Sequence, residues 1–94
     1  MDLTRKVAVV DDDPTARRIL RHWLTSEGYE VVEHADIESA LGGDATELAA
    51  ACVDLGLGES SGLDLMRKLL ERDPGLPVVM VTASQHIESA VLAL

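Results

Sequence analysis

Lys6-Val-Ala-Val-Val10-Asp11-Asp12-Asp13-Pro14 is the stretch that decides the fold. A short apolar run bounded by charged residues is typical of a strand that is covered on both faces of a parallel sheet. Directly after this strand, Asp13 suits the N-cap of a helix and Pro14 suits its first position. The stretch therefore predicts a buried strand that leads at once into a helix, which is how a β-α-β unit begins.

The predicted first helix continues to Gly28, which supplies the left-handed backbone that commonly ends a helix. Apolar residues recur at helical spacing and predict the face that packs on the sheet. Polar residues fill the other side and predict a solvated face. The apolar set is Ala16, Ile19, Leu20, Trp23 and Leu24, and the polar set is Arg17, Arg18, Arg21 and His22.

The same alternation continues along the chain. Residues 29–35 predict a second strand, and Asp36 can cap a second helix. Gly42-Gly43 weakens that helix by about 1 kcal/mol per glycine relative to alanine, so we expect a frayed or broken helix that ends near Leu48. The next predicted elements are a third strand at 50–53 with Asp54 at its carboxyl end, and a loop at 56–61. The last ones are a third helix that Ser61 and Asp64 cap and Asp73-Pro74-Gly75 end, a fourth strand at 77–82 and a fourth helix from Ser84.

Length and composition exclude several classes of protein. The 94 residues are enough for one small domain, 1–94, and with 2% aromatic residues its core must be aliphatic. A net charge of -9 repels the phosphate backbone and argues against direct binding of nucleic acid. The lone Cys52 excludes an internal disulfide. Because the sequence also has no signal peptide or membrane span, we expect a cytoplasmic protein.

Acidic and hydroxyl side chains fall where the predicted strands end. Because the strands alternate with helices, we expect an α/β fold with a parallel sheet, whose carboxyl strand ends share one edge. Asp11, Asp12, Asp54 and Thr82 all map to that edge. Carboxylates in such a cluster repel each other, and a bound hard cation such as Mg²⁺ resolves the repulsion. The arrangement favours phosphoryl transfer, with one carboxylate attacking phosphorus and the hydroxyl binding a phosphoryl oxygen.

Three motifs in order resemble the receiver domain of two-component response regulators. They are Val-Val-Asp11-Asp12-Asp13-Pro14, then Asp54-Leu-Gly-Leu-Gly-Glu-Ser-Ser-Gly62-Leu-Asp-Leu, then Val-Val-Met-Val-Thr82-Ala83. The resemblance covers residues 6–94 and implies a flavodoxin-like, doubly wound parallel sheet with strand order 2-1-3-4. It also implies that Asp54 is the phosphoacceptor, that Asp12 contacts Mg²⁺ directly, that Asp11 often acts through water, and that the Gly56 carbonyl is a further ligand.

The resemblance implies partners as well. Thr82, followed by Ala83, would contact the phosphoryl group, and a sensor histidine kinase would donate it. The stretch from Gly62 to Lys68 looks most like receivers that front enhancer-binding transcription activators, so the implied output is transcription. The resemblance therefore predicts a signalling domain and not an enzyme.

The sequence departs from the family pattern at two places. Gly58 stands where the family usually has proline. The fifth strand, its lysine and the fifth helix are missing, and Lys6 and Lys68 lie at the wrong places to replace that lysine. We therefore assign no catalytic lysine and expect the domain to be incomplete at its C-terminus. We also expect either a homo-oligomer joined through the fourth strand and fourth helix, or part of a longer chain.

Two alternatives remain open at this stage. Asp11-Asp12-Asp13-Pro14-Thr15 also resembles the first motif of haloacid-dehalogenase-type phosphatases, with Asp11 as nucleophile and Asp13 as acid and base. The other alternative is a degenerate receiver that serves only as an interaction or dimerisation module. Covalent labelling distinguishes the three hypotheses, because Asp54, Asp11 or neither residue would be modified.

Overall fold

Strands and helices alternate along the chain in the computed structural model, which describes residues 5–42, 48–57 and 60–81. The first half holds β1 (Lys6–Val10), α1 (Pro14–Ser26), β2 (Glu30–His34) and α2 (Ile37–Gly42). The second half holds β3 (Leu48–Asp54), β4 (Gly56–Leu57), β5 (Ser60–Ser61), α3 (Gly62–Arg72) and β6 (Val78–Val81).

The four longer strands form one parallel sheet in the order β2-β1-β3-β6. This order confirms the predicted 2-1-3-4 arrangement, with β6 as the fourth long strand. Val10 of β1 pairs with Val53 of β3, and Asp54 pairs with Val81 of β6. The registers therefore bring the carboxyl ends of β1, β3 and β6 to the same edge, where the predicted acidic residues follow.

The central strand β1 is buried on both faces of the sheet, as its apolar run predicts. Val7 to Val10 are all buried, and Ala51 and Val53 of β3 have no exposed surface. From α3, Leu65 and Leu69 complete this core, and each stabilises the fold by roughly 1.5–3 kcal/mol on full burial. None of the helices in the described part of the chain is long and apolar enough to cross a membrane.

The predictions for the middle of the chain were partly wrong. Leu48 does not end a helix, because it begins β3 and pairs with Lys6 of β1. Pairing with an existing central strand outweighs the weak strand preference of the alanines that follow. The predicted loop at 56–61 contains a small antiparallel ladder between β4 and β5, and Leu57 anchors it in the core with 6% exposure.

Helix α1 has the predicted ends but a different buried face. Its capping residue Asp13 accepts a hydrogen bond from the Thr15 N–H at 2.9 Å, and Gly28 has a φ of +93°. Trp23 is nevertheless 62% exposed. Helical residues advance by roughly 100° each, so Arg17 lies within roughly 20° of Leu24, and both are half-buried. The helix therefore turns Arg17 toward the sheet, and the prediction that Ile19 and Trp23 pack inward was wrong.

Candidate functional site

Three predicted site residues meet at the carboxyl edge of the sheet. Asp11 follows β1, Asp12 follows it in the turn before α1, and Asp54 ends β3. One carboxylate oxygen from each lies within 4.8 Å of the other two. Asp11 is buried at 4% exposure, Asp54 is half-buried and Asp12 is exposed. The cluster is therefore shielded from solvent at Asp11 and accessible to solvent at Asp12.

The acidic cluster is electrostatically strained. Burial, followed by the charges of Asp11 and Asp12, raises the pKa of Asp54 from 3.8 to about 6. Burial also raises the pKa of Asp11, and the charges of Asp12 and Asp13 add to that rise. The backbone N–H of Asp13, which donates to Asp11 Oδ1 at 2.9 Å, opposes the rise. A divalent cation at this position would offset the remaining repulsion.

The Gly56 backbone faces the same cluster. The N–H of Gly62 donates to the Leu55 carbonyl at 2.8 Å, so a hydrogen bond of the β4–β5 ladder lies beside the pair of Gly56 and Ser61. This pair is consequently a non-hydrogen-bonded pair whose backbone groups point outward. The Gly56 N–H acts on the Asp54 carboxylate and lowers its pKa. The Gly56 carbonyl is directed to the same side, which makes it a candidate oxygen ligand.

Gly62 belongs to the site because its lack of a side chain allows a close backbone contact, a role that its sequence position does not indicate. A Cβ at this position would lie 2.0 Å from the carbonyl oxygen of Asp54 and 3.0 Å from the end of the Met80 side chain. Only glycine therefore allows the start of α3 to lie against the end of β3. The Gly62-Leu-Asp-Leu motif includes this glycine. The local sequence does not indicate that a side chain there would clash with residues of β3 and β6.

Arg17 is also part of the site, and its assignment to a solvated face was wrong. Its side chain is 19% exposed, and Nη1 donates to the Asp11 carbonyl at 2.7 Å. Its Nε lies 3.4 Å from Glu33 Oε1, while Arg21 Nη1 lies 2.7 Å from Glu33 Oε2. Arg21 is 58% exposed and Arg18 is exposed, as predicted. The predicted site residues Thr82 and Ala83, the departure at Gly58 and the predicted fourth helix lie outside the described residues.

The chain matches the model of a known domain family over residues 7–94, and that model describes the response regulator receiver domain. It is 34% identical over 89 residues to the probable transcriptional regulatory protein TcrX of Mycobacterium tuberculosis, covering 94% of this chain. It is 33% identical over 95 residues to the C4-dicarboxylate transport transcriptional regulatory protein DctD of Rhizobium meliloti, covering 100% of this chain. The matched regions span only 38% of TcrX and 21% of DctD.

Solved structures show the same fold. A response regulator protein from Burkholderia pseudomallei with a phosphorylated aspartic acid, calcium ion and citrate superposes with a TM-score of 0.79 at 29% identity. The match covers 92% of this chain and 51% of that one. The response regulator TrrA from Thermotoga maritima in complex with Mg²⁺-BeF gives 0.77 at 27% identity, covering 92% and 76%. Proteins with this fold have therefore been solved with a divalent cation and with a phosphorylated aspartic acid.

Proposed function

Because this chain belongs to the response regulator receiver domain family, we propose that Asp54 accepts a phosphoryl group from a phosphohistidine of a sensor histidine kinase. The observation that carries the proposal is the cluster of Asp11, Asp12 and Asp54, with oxygens within 4.8 Å of one another. One Asp54 oxygen bonds to phosphorus while the phosphorus–nitrogen bond to the histidine breaks. The leaving imidazole keeps the electron pair and takes up a proton. The domain thus acts as a signalling phosphoacceptor and not as a free-standing enzyme.

The cluster suits a hard cation, and we propose Mg²⁺. All candidate ligands are oxygens, which Mg²⁺ prefers over nitrogen or sulfur. Asp12, Asp54 and the Gly56 carbonyl would contact the ion directly, and the buried Asp11 would act through a water molecule. When bound, Mg²⁺ supplies charge neutralisation for the incoming phosphoryl oxygens. The backbone N–H of Gly56 lowers the pKa of Asp54 and so favours its ionised, nucleophilic form.

The remaining predicted contacts follow β6. Val81 pairs with Asp54, and Thr82 and Ala83 are the next two residues of the sequence. We propose that the Thr82 hydroxyl and the Ala83 backbone contact the phosphoryl oxygens. The regulated output, by analogy with the transcriptional relatives, is transcription, through a segment that this sequence does not include.

The edge of the sheet suggests that the chain associates with a second copy of itself. Within the described sheet, β6 pairs with β3 alone, and an apolar edge strand can pair with another copy. We propose a homo-oligomer joined through β6 and the predicted fourth helix, with no direct contact to nucleic acid because the net charge is -9. Sedimentation equilibrium over a range of concentrations tests this proposal. A monomer at all concentrations would contradict it.

The phosphoacceptor is tested by incubation with acetyl phosphate and Mg²⁺, followed by intact-mass spectrometry and peptide mapping. We expect one added phosphoryl group that maps to Asp54, depends on Mg²⁺ and is lost in Asp54→Asn. Asp64→Asn, an exposed acid in α3, is the matched control and should be labelled like the parent. Label on Asp11 would instead support the phosphatase alternative. Absence of any label in a protein that still folds would support the interaction-module alternative.

A further inference from the structure

We propose that Arg17 is a positioning residue for the acidic site, an inference that rests on the proposed function. It holds the backbone of Asp11 so that the carboxylates of Asp11 and Asp12 face Asp54. Arg17 comes from the first turn of α1, but its guanidinium reaches back to the last residue before the turn, six positions earlier. It is a cation itself and so cannot be a metal ligand. Its direct hydrogen bond to the site is the one to the Asp11 carbonyl.

Both backbone polar groups of Asp11 are hydrogen-bonded. Its N–H donates to the His34 carbonyl of β2 at 3.0 Å, which continues the β1–β2 ladder by one residue. Its carbonyl accepts from Arg17 Nη1 at 2.7 Å, the short distance expected for a hydrogen bond from a charged donor. Both backbone groups are thus held, and an oxygen of the Asp11 carboxylate lies within 4.8 Å of oxygens of Asp12 and Asp54. The Asp13 N–H then holds Oδ1 at 2.9 Å.

Arg17 is itself held in place. Its Nε lies 3.4 Å from Glu33 Oε1, and Arg21 holds the other oxygen of Glu33 at 2.7 Å. A guanidinium can use its edge toward Glu33 and a second nitrogen toward Asp11 at the same time, because its donors form a rigid plane. A lysine ammonium would keep the positive charge but lose this fixed two-sided geometry. The geometry therefore separates a positioning role from a purely electrostatic one.

Arg21 provides the matched control. It pairs with the same carboxylate of Glu33, but it is 58% exposed, whereas the Arg17 side chain is 19% exposed. Replacing Arg21 loosens the same ion-pair network without removing the bond to the Asp11 carbonyl. Glu33→Gln is the graded variant, because it keeps a neutral acceptor beside Arg17 while removing the charge.

The experiment is a Mg²⁺ titration of the whole 94-residue chain, followed by NMR amide shifts of the residues around Asp11 and Asp54. Loss of a group that orients a metal ligand commonly lowers metal affinity by 10-fold to 100-fold. We expect Arg17→Lys and Arg17→Ala to raise the Mg²⁺ Kd by about 10-fold, at the low end of that range. Glu33→Gln should raise it by about 3-fold, and Arg21→Ala by less than about 2-fold. The phosphorylation rate of Arg17→Lys should recover at saturating Mg²⁺.

The outcomes separate the two proposals. If the parent binds Mg²⁺ through the acidic residues and Arg17→Lys binds it equally well, the positioning role is overturned and the proposed function stands. Equal shifts in the Arg17 and Arg21 variants would also overturn it, since they would reflect general loosening of the network. If the parent itself shows no Mg²⁺ response, the proposed function and this inference both fail. Should Arg17→Ala not fold, Arg17→Lys and Glu33→Gln still decide the question.

Discussion

The two sides of the acidic site are built in different ways. On the side of β1 and α1, side chains hold the backbone: Arg17 binds the Asp11 carbonyl at 2.7 Å and Glu33 orients Arg17. On the side of β3 and α3, backbone lies directly against backbone. Gly62 approaches the Asp54 carbonyl so closely that a Cβ would be 2.0 Å from it, and its N–H bonds the Leu55 carbonyl.

This difference predicts how each side responds to change. A site held by side-chain hydrogen bonds can be weakened in steps, because each bond contributes a modest and separate amount. A close approach between two backbone segments leaves no intermediate state, because any added atom must displace one of the segments. The Asp11 side should therefore show graded effects, and the Asp54 side should show all-or-none effects.

The largest expected effect is that of Gly62→Ala. The new methyl group must push the start of α3 away from Asp54, which we expect to cost about 3 kcal/mol of unfolding free energy. The displaced Asp54 should also lose its label from acetyl phosphate. Gly42→Ala is the control, because a Cβ at that helical position meets nothing within 4 Å. It should change stability by less than about 1 kcal/mol, in the stabilising direction.

Urea denaturation of both variants measures these values. Equal stabilities of Gly62→Ala and Gly42→Ala would show that α3 can shift freely, and the contrast between the two sides of the site would then be lost.

The next effect concerns charge at Asp54. The folded-state pKa of Asp54 is raised to about 6, above the 3.8 of an ordinary carboxyl group, so the folded state binds the proton more tightly. Its contribution to stability is therefore most favourable below pH 4 and is lost as the pH rises through 6. Asp54→Asn stays neutral and should stabilise the metal-free protein at pH 8 by about 1–2 kcal/mol, a value reduced for partial exposure.

Thermal unfolding at several pH values without Mg²⁺ checks this prediction. The stability gap between Asp54→Asn and the parent should open between pH 4 and pH 7 and then remain constant. Excess Mg²⁺ should close the gap by stabilising the parent. A gap that is the same at pH 4 and pH 8 would contradict the electrostatic origin.

Much of the Asp11 side could be predicted from the sequence because its determinants are local. The apolar run of β1, the Asp13 cap and the adjacent carboxylates lie within nine residues, and each has a recognisable preference. The role of Arg17 was missed even so. Periodicity indicates an apolar stripe along α1, but the direction in which the helix turns that stripe depends on the sheet below it.

The features of the Asp54 side depend on residues that are distant in sequence. Leu48 joins β3 because β1 offers a partner, although the local sequence favoured a helix end there. The need for glycine at Gly62 arises from the Asp54 carbonyl and the Met80 side chain, which come from β3 and β6. The meeting of the carboxylates was predictable, because parallel strands share one carboxyl edge. The strand order was predictable only through the resemblance to receiver domains.

A smaller effect compares the caps of the two helices that begin at the site. Asp13 accepts from the Thr15 N–H at 2.9 Å and Ser61 accepts from the Leu63 N–H at 3.1 Å. Loss of such a cap costs about 1 kcal/mol. Ser61→Ala should show that full cost. Asp13→Ala should cost less at pH 8, because it also removes a charge that repels Asp11.

Urea titrations at pH 8 with and without Mg²⁺ measure the two caps. The difference between them should shrink when Mg²⁺ is bound, because the ion already offsets the repulsion at Asp11. If Asp13→Ala lowers the free energy of unfolding more than Ser61→Ala does, both with and without Mg²⁺, then repulsion between Asp13 and Asp11 does not destabilise the site.

The smallest expected effect is that of Arg67→Ala on the outer surface of α3. Its Nη1 lies 3.5 Å from Asp64 Oδ1, and the two side chains are 71% and 58% exposed. An exposed pair at this spacing contributes roughly 0.2–0.5 kcal/mol, and salt screens even that. Arg67→Ala should therefore change the free energy of unfolding by less than about 0.5 kcal/mol and leave the Mg²⁺ Kd unchanged. Arg17→Ala has an equal change in formal charge, and removal of a cation would by itself strengthen Mg²⁺ binding. A matching loss of Mg²⁺ affinity in Arg67→Ala would therefore mean that the loss in Arg17→Ala does not arise from the bond to the Asp11 carbonyl.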